Sequence, residues 1–462
     1  MLVRGANHDD FEPSFDCGRA APCNRNMPDV ADKPLSIFQR RRARRLAYWN
    51  GAIWSIGNGL ASTTLVVYLA LELGAGRIGL GISLILAARH VVGVLRMGAP
   101  AMIGRLIDRR RFCLATFLLS TLVLLSLPLI AAPGRLPSAG ASLGALVALW
   151  CVYHLLQYLG TIALWSWLAD LVPLRIRGRF LGRRERWMVA ATAVAMLASG
   201  LFAWWWKQTH PRPQWWIAYA ISAGLGSLFM IAALIPLWKM PAAVRSRVVR
   251  CGANFRETVA PLGDRRFLLL LVFGCYFSFF NGVTQSAQNI FPARVLGIGL
   301  FTMLALQTFM RGGQLSISPW LGRRADRHGN RPVMMVCLLL VAAGPLFYFL
   351  STPETRWWFA AAWLVWIAYA GLNVCLPNLM LKLSPGRSNT PYIALYFTVT
   401  GLCYAASTIV GGLLLDRFAE STITLFGGAE FDFYRCIFLF GWITRSLGVV
   451  VLLLVIEPPG DK

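Results

Sequence analysis

The sequence contains few charged residues, and acidic residues are especially scarce. Asp, Glu, Lys and Arg make up only 14% of the 462 residues, whereas soluble proteins carry roughly 25%. Hydrophobic residues make up 57% of the chain and gather in long runs. Such runs are typical of transmembrane helices, because about 20 residues cross a bilayer about 30 Å thick. The shortage of charge therefore excludes an ordinary soluble protein and predicts an integral membrane protein with many spans.

Several motifs are also missing. The ten cysteines form no Cys-x-x-Cys pair, so we expect neither a metal site nor a disulfide framework. A Gly-x-x-x-x-Gly-Lys-Ser/Thr phosphate loop is absent, which argues against a primary pump. We therefore expect no cofactor. Residues 1–38 lack the basic start and apolar core of a signal peptide, and their polar composition predicts a disordered cytoplasmic tail.

The positive charges show how the spans are oriented. We predict twelve spans, at residues 47–71, 77–103, 112–132, 142–169, 187–206, 215–238, 267–291, 297–321, 332–351, 357–383, 391–415 and 433–456. The segment before span 1 and the even-numbered turns hold 28 Lys and Arg residues, against 8 in the odd-numbered turns. Basic turns stay in the cytoplasm, so both termini are predicted to be cytoplasmic. The same pattern explains the net charge of +25 without a nucleic-acid partner.

The chain divides into two similar halves. Residues 39–238 and 267–457 hold six predicted spans each, and residues 239–266 form a central cytoplasmic loop before a short tail at 458–462. A basic stretch after span 2, Gly104–Arg111, is repeated after span 8 as Gly322–Arg331. In both copies Gly is followed four residues later by Asp and then by Arg. The repeat predicts an all-α membrane protein built from two pseudo-symmetric six-helix halves.

The Gly-x-x-x-Asp-Arg pattern after spans 2 and 8 resembles the signature of the major facilitator superfamily of secondary transporters. The first copy departs from it at Arg110, where the family usually has Gly. The resemblance implies transport by alternating access, and it implies that the signature acts as a cytoplasmic latch that favours the outward-open state. The expected latch residues, with arginines that could pair with them, are Gly104, Asp108, Arg109, Gly322, Asp326, Arg327, Arg177, Arg179 and Arg387. A simpler reading is that these arginines only fix the topology.

Charged residues inside the spans are the best pointers to a binding site, because burying them in lipid is costly. Arg89 and Arg311 lie near the middle of spans 2 and 8, whereas no Asp or Glu lies in the middle of any span. We therefore predict a cavity that suits an anionic or sugar-like solute. The predicted cavity residues are Arg89, His154, Gln157, Arg311, Asn281, Gln285, Asn58 and Asn373. Alternatively, the arginines bond to backbone carbonyls and hold helices together.

These patterns favour a monomeric, multi-pass transporter of a small organic solute in the cell (inner) membrane. The bilayer and a small-molecule substrate are its expected partners. A coupling ion, H⁺ or Na⁺, is left open; His90 and His154 are candidates to titrate. The alternatives are drug or cation efflux on the same fold, a membrane-embedded enzyme, and a transport-dead sensor. Arg445, near the middle of span 12, receives no role beyond facing the bundle.

Overall fold

The computed structural model describes residues 36–74, 77–96, 108–130, 132, 134–172, 174–241, 259–383, 390–424 and 430–457. Most of the predicted tail (1–38), most of the central loop (239–266) and all of the tail at 458–462 lie outside these ranges. The described part is a helical bundle whose spans keep the numbers of the predicted ones. Their bounds are Ile37–Leu60 and Thr63–Glu72 (span 1), Ile78–Val92 (2), Arg109–Ile130 (3), Ala139–Leu171 (4), Leu174–Thr209 (5), Trp215–Ala232 and Leu234–Trp238 (6), Arg265–Val283 and Gln285–Arg294 (7), Leu300–His328 (8), Asn330–Leu350 (9), Trp357–Val365 and Tyr369–Leu383 (10), Thr390–Phe418 (11) and Phe433–Leu453 (12).

Eleven helical stretches of the described chain are long and apolar enough to cross a membrane. Span 8 is not among them, although it is 29 residues long. It carries Arg311 in its middle and a cluster of charged residues, 323–327, near its end, which lowers its hydropathy. The protein is therefore a multi-pass membrane protein, and the count of twelve spans stays a prediction.

At three predicted span boundaries the helix continues into the neighbouring basic segment. Span 1 begins at Ile37 rather than 47, since Ser36 and Gln39 form a capping box that starts the helix before the arginines. Span 5 begins at Leu174, so the predicted turn 174–186 is helical. Span 8 continues to His328 through the second signature copy. Arg is a good helix former, so an arginine run marks the membrane surface rather than the end of a helix.

Two short turns have their own geometry. After span 8 the chain reverses at Gly329, whose φ of 89° favours glycine. Between spans 11 and 12, strands β1 (Thr422–Thr424) and β2 (Glu430–Asp432) pair antiparallel, with Ile423 opposite Phe431. The expectation of an all-α protein therefore holds for the spans but not for this turn.

The two ends of the bundle are named here by the turns that they carry. We call the end that carries the turns after odd-numbered spans the odd-turn end. The opposite end, where the chain enters span 1 and leaves span 12, is the even-turn end. The halves pack against each other mainly through spans 2 and 11 and through spans 5 and 8.

Candidate functional site

Four of the described spans (1, 6, 7 and 10) are interrupted, and the breaks in spans 1 and 7 lie at corresponding positions of the halves. Span 1 is interrupted at Ala61 and Ser62, and span 7 at Thr284. Each break leaves backbone groups without their helical partners, which is tolerated in a membrane only where protein or a cavity covers them. Paired interruptions in the two halves of a transporter point to its binding site.

A cavity of about 460 Å³ lies beside both breaks. Its lining is mostly polar and comes from both halves. Its side chains include Asn58, Ser62, Thr63, Thr64, Arg89, His90, His154, Thr192, Asn281, Gln285, Gln288, Asn289, Gln307, Arg311, Tyr369 and Tyr404. Among the described lining residues there is no Asp or Glu, so the cavity carries a net positive charge.

The two predicted arginines both lie in this cavity. Arg89 comes from span 2 of the first half, and Arg311 comes from span 8 of the second. Both side chains are exposed toward the cavity, and within the described chain neither has a carboxylate within 4 Å. The Nε of Arg89 lies 3.3 Å from Nε2 of the neighbouring His90. Two cations from opposite halves could therefore hold an anionic group between them.

His154 of span 4 also faces the cavity. Its ring stands edge-on to Trp150, with centroids 4.6 Å apart. Its Nε2 is buried and has no hydrogen-bond partner among the described atoms. A buried polar atom without a partner is rare, and a ligand in the cavity would supply one.

Two predicted cavity residues lie elsewhere. Gln157 is one turn from His154 on span 4, but its amide donates to Ser120 Oγ at 3.0 Å in the seam with span 3. Asn373 of span 10 lines a second cavity instead. Polar residues were assigned to the pathway because lipid excludes them, but helix seams are equally good places for them.

The second cavity, of about 280 Å³, adjoins the first. His90, Tyr369 and Tyr404 line both cavities. The rings of His90 and Tyr404 pack with centroids 4.3 Å apart. Apart from these residues, the wall is largely aromatic and aliphatic, and again no Asp or Glu is among its described residues.

Arg445 of span 12 contacts residues at the break in span 7. Its side chain is 1% exposed, and its Nη2 donates to Thr284 Oγ1 and to the Asn281 carbonyl. A cation at the end of a helix satisfies terminal carbonyls and interacts well with the helix dipole. Arg445 therefore holds the end of helix Arg265–Val283 beside the cavity wall, which is the role that its position in span 12 could not reveal.

Among the signature residues, Asp108 makes local contacts in this conformation. Asp108 accepts the backbone N–H of Arg111 at 3.0 Å and pairs with its guanidinium at 3.1 Å, so it caps span 3. Asp326 and Arg327 are exposed on the last turns of span 8. Gly322 lies in the same helix rather than in a turn. Arg109 begins span 3. Gly104, Arg387 and the side chains of Arg177 and Arg179 lie outside the described residues.

Arg110 and Arg331, the arginines that follow Asp-Arg in the two signature copies, bond to the ends of other helices. Arg110 donates to the carbonyl of Trp238, the last residue of span 6. Arg331 donates to the carbonyl of Leu453, the last residue of span 12. In each half, an arginine that follows the signature therefore caps the C-terminal end of the sixth helix.

Glu457, a residue that the sequence patterns did not single out, joins three spans at the even-turn end. Its carboxylate accepts the backbone N–H groups of Asn330 and Arg331 at 2.9 Å each. It also pairs with Lys382 of span 10 at 2.9 Å. Burial alone would raise the pKa of the Glu457 carboxyl, but these hydrogen bonds lower it to about 2.

Hydrogen bonds join the two halves near the odd-turn end. Tyr68 donates to the Ile298 carbonyl at 2.8 Å, and Gln307 donates to Thr64 Oγ1 at 2.7 Å. Asp416 of span 11 accepts two backbone N–H groups at the start of span 2. These contacts hold the two halves together in the region between the cavity and the odd-turn end.

Sequence reasoning missed several lining residues, chiefly Gln307, Tyr369 and Tyr404. The aromatic residues of spans 10 and 11 look like ordinary apolar positions in the sequence. A partial signal was present, because Tyr has a polar hydroxyl and is uncommon in the middle of a lipid-facing helix. Arg89 and His90 both line the cavity although they are adjacent, because the cavity wraps around span 2.

Comparisons with known proteins identify the fold of the chain. The family model of the Major Facilitator Superfamily matches residues 268–462. No curated protein sequence matches the chain closely enough to count as a relative.

Several solved structures share the fold over most of the chain. The crystal structure of a D-xylose–proton symporter superposes with a TM-score of 0.66 at 12% identity, covering 90% of this chain and 98% of that one. A bacterial homologue of the human lysosomal transporter Spinster, inward-facing and unoccupied, gives 0.62 at 13% identity and covers 91% and 96%. The nucleoside transporter NupG gives 0.59 at 12% identity and covers 91% and 100%. Together with the sequence match over the second half, they confirm the resemblance: the chain has the fold of Major Facilitator Superfamily transporters.

Proposed function

We propose that the protein is a secondary transporter that moves a small anionic or sugar-like organic solute by alternating access. The observation that carries this proposal is the cavity between the halves, which is lined by Arg89 from one half and Arg311 from the other and has no acidic group in its described lining. Charge-assisted hydrogen bonds to an anion are about twice as strong as neutral ones. Amides and hydroxyls around the arginines suit the polar remainder of such a solute.

The contacts between the halves and the signature residues fit two different states of the transport cycle. In the present state the halves meet at the odd-turn end, which the charge pattern places outside the cytoplasm. The signature residues Asp108, Arg109, Asp326 and Arg327 would form the cytoplasmic latch in the opposite state. We therefore propose that the present state faces inward, that both termini lie in the cytoplasm and that the protein lies in the inner membrane; the basic even-numbered turns support this orientation.

Melting of the purified, detergent-solubilised protein tests the substrate class. Organic anions, sugars and cationic drugs are compared at two pH values, the second of which detects a proton-linked ligand. A ligand at 100 times its dissociation constant adds about 2.7 kcal/mol to the stability of the state that it binds. We expect anions or sugars to raise the melting temperature.

Variants connect the effect to the cavity. Arg89→Gln and Arg311→Gln should abolish stabilisation by anions, whereas Arg212→Gln, an exposed arginine at the odd-turn end, should leave it unchanged. Stabilisation by cationic drugs alone would overturn the proposal in favour of drug efflux. Unchanged anion affinity in both cavity variants would show that the arginines hold helices together.

A further inference from the structure

The wall of the second cavity differs in character from that of the first. Its aromatic residues come from spans 7, 10 and 11: Phe273, Phe277, Tyr369, Tyr396, Phe397 and Tyr404. Leu372 and Leu376 add aliphatic surface. Phe277 lies between two other rings, with centroid distances of 6.3 Å to Phe273 and 6.4 Å to Tyr369. Apolar and aromatic walls of this kind are typical of sites that bind apolar groups.

The two cavities meet at a shared wall. His90, Tyr369 and Tyr404 face both, and Arg89 is the chain neighbour of His90. A ligand whose charged end lies at Arg89 therefore has the aromatic cavity within reach of its other end. Aromatic rings in such surroundings gain stabilisation from edge and face contacts beyond the area that they bury.

We propose that the second cavity is a subsite for the apolar part of the substrate, so that the substrate is an amphipathic organic anion with an aromatic or similarly flat apolar group. This inference rests on the proposed function, because the anionic end of the ligand occupies the cationic cavity. It narrows the substrate class from anions or sugars to anions with an apolar end.

A matched ligand series tests the subsite. The probes are ω-phenyl carboxylates from benzoate to 4-phenylbutyrate, each compared with the unsubstituted alkyl carboxylate of equal chain length and with the corresponding phenyl alcohol. At one chain length, we expect the phenyl carboxylate to bind at least about tenfold more tightly than its alkyl counterpart. Burial of a phenyl ring is sufficient for a gain in affinity of this size. The alcohol should bind weakly, because it cannot pair with the arginines.

Two cavity variants and a control test whether the second cavity causes the tighter binding of the phenyl carboxylate. Phe277→Ala should reduce the affinity ratio between the phenyl and the alkyl carboxylate by about fivefold to tenfold. It should leave the affinity for the alkyl carboxylate unchanged. Leu376→Trp should fill the space and remove the advantage even if Phe277→Ala folds poorly. Phe279→Ala is the control, since Phe279 lies on the same helix but is exposed on another face.

The outcomes separate the two proposals. Equal affinity for phenyl and alkyl carboxylates overturns the subsite and leaves the cationic cavity standing. If the phenyl alcohols bind as tightly as the acids, or no carboxylate binds, the cationic cavity does not hold an anionic group, and both the subsite and the anionic form of the proposed function are wrong. A phenyl advantage that survives both cavity variants also overturns the subsite.

A second inference comes from Asp416, at the opposite end of the bundle from the signature copies. Asp416 accepts the N–H groups of Gly79 and Leu80 at 2.7 and 2.8 Å. These groups begin the 15-residue helix of span 2, whose own N-cap residue, Arg77, makes no side-chain cap. A carboxylate from one half therefore caps a helix of the other half, where the positive end of the helix dipole favours it.

The backbones at this contact touch closely. A Cβ built on Gly79 would lie 2.5 Å from the carbonyl oxygen of Gly412, and the reverse distance is also 2.5 Å. Only glycine permits this approach. Because the cap joins opposite halves, it must break whenever the odd-turn ends separate. We infer that Asp416 is the latch of the odd-turn end and sets the population of the state in which that end is closed.

Hydrogen exchange measured by mass spectrometry tests the latch without a substrate. In Asp416→Ala, we expect about tenfold faster exchange, the size expected for losing a bond to a charged group, in peptides covering residues 78–83 and 298–304 together. Both peptides lie on the interface between the halves. Glu420→Ala removes a nearby exposed carboxylate and should change neither. Faster exchange confined to residues 78–83 would show an ordinary helix cap, and unchanged exchange would show no role; either result overturns the latch.

Discussion

The two halves secure their broken spans by different means. In the first half, Ser62 Oγ accepts the N–H of Leu65 at 3.3 Å, so the break in span 1 is capped locally. Span 6 then packs directly on span 1, with Gly57 so close to Gly226 that a Cβ would lie 2.5 Å from its carbonyl oxygen. In the second half, span 12 instead inserts Arg445 against the break in span 7.

The same contrast recurs at the even-turn end. Asp108 caps the helix that it begins, whereas span 9 is capped by Glu457, which lies beyond span 12. The repeat has therefore kept the path of the backbone and the arginine cap on the sixth helix, but not the side chains that satisfy the ends of the broken span and the start of the third helix. In the second half, the broken span and the start of span 9 are stabilised by residues distant in sequence. Substitutions in span 12 and in the segment after it should therefore alter the cavity.

The largest effect is expected at Arg445. Arg445→Leu removes the donor to Asn281 and Thr284 and leaves both without that partner, which should lower the free energy of unfolding by about 1–3 kcal/mol. It should also weaken ligand binding in the cavity, because Asn281 is part of the wall. Melting of the purified protein, with and without ligand, measures both effects.

Arg445→Lys keeps the charge and should recover part of the loss. Arg417→Leu, an exposed arginine of span 11, is the control and should have no effect. A stable Arg445→Leu protein with normal affinity would show that the buried cation costs as much as it contributes, and the contrast between the halves would lose its main support.

A loss of stability of similar size is expected at Glu457. Glu457→Gln loses the charge that four donor groups of Asn330, Arg331 and Lys382 share, which should destabilise the second half by about 1.5–3 kcal/mol near neutral pH. The folded-state pKa of about 2 lies below the ordinary carboxyl value. The contribution is therefore complete above the unfolded pKa and disappears as the pH falls toward 2.

Denaturation of wild type and Glu457→Gln between pH 6 and pH 2.5 checks this sign. The gap between the two proteins should shrink as the pH falls. Glu420→Gln, an exposed acid, should show no gap at any pH. A gap that stays constant or widens on acidification would contradict the assignment.

The smallest effects are expected at the local caps of the first half. Ser62→Ala and Asp108→Ala each remove one N-cap, worth about 1 kcal/mol. Since these caps act within their own helices, neither change should alter ligand affinity by as much as Arg445→Leu does. A larger effect of Ser62→Ala on binding, measured by the same melting assay, would erase the proposed difference between the halves.

Much of the fold and part of the candidate site could be predicted from the sequence. The informative features were the hydrophobic runs, the signature repeat and the arginines within the spans. They indicated the spans, the two halves and the placement of Arg89 and Arg311 in one cavity, because each follows from the cost of burying polar groups in lipid. Helix ends were harder to predict, since arginine-rich segments continue as helix beyond the bilayer. The roles of Arg445, Glu457 and Asp416 depend on which spans are neighbours, and the aromatic cavity depends on how spans 10 and 11 are rotated. A single sequence carries neither kind of information.

The most direct test of the central claim is counterflow in liposomes, using the organic anion that most strongly stabilises the purified protein. Vesicles preloaded with the unlabelled anion should take up the labelled anion transiently above its equilibrium level, and Arg311→Gln should abolish this overshoot while Arg212→Gln retains it. Binding without any overshoot in the wild-type protein would contradict transport and would identify the chain as a sensor built on a transporter fold.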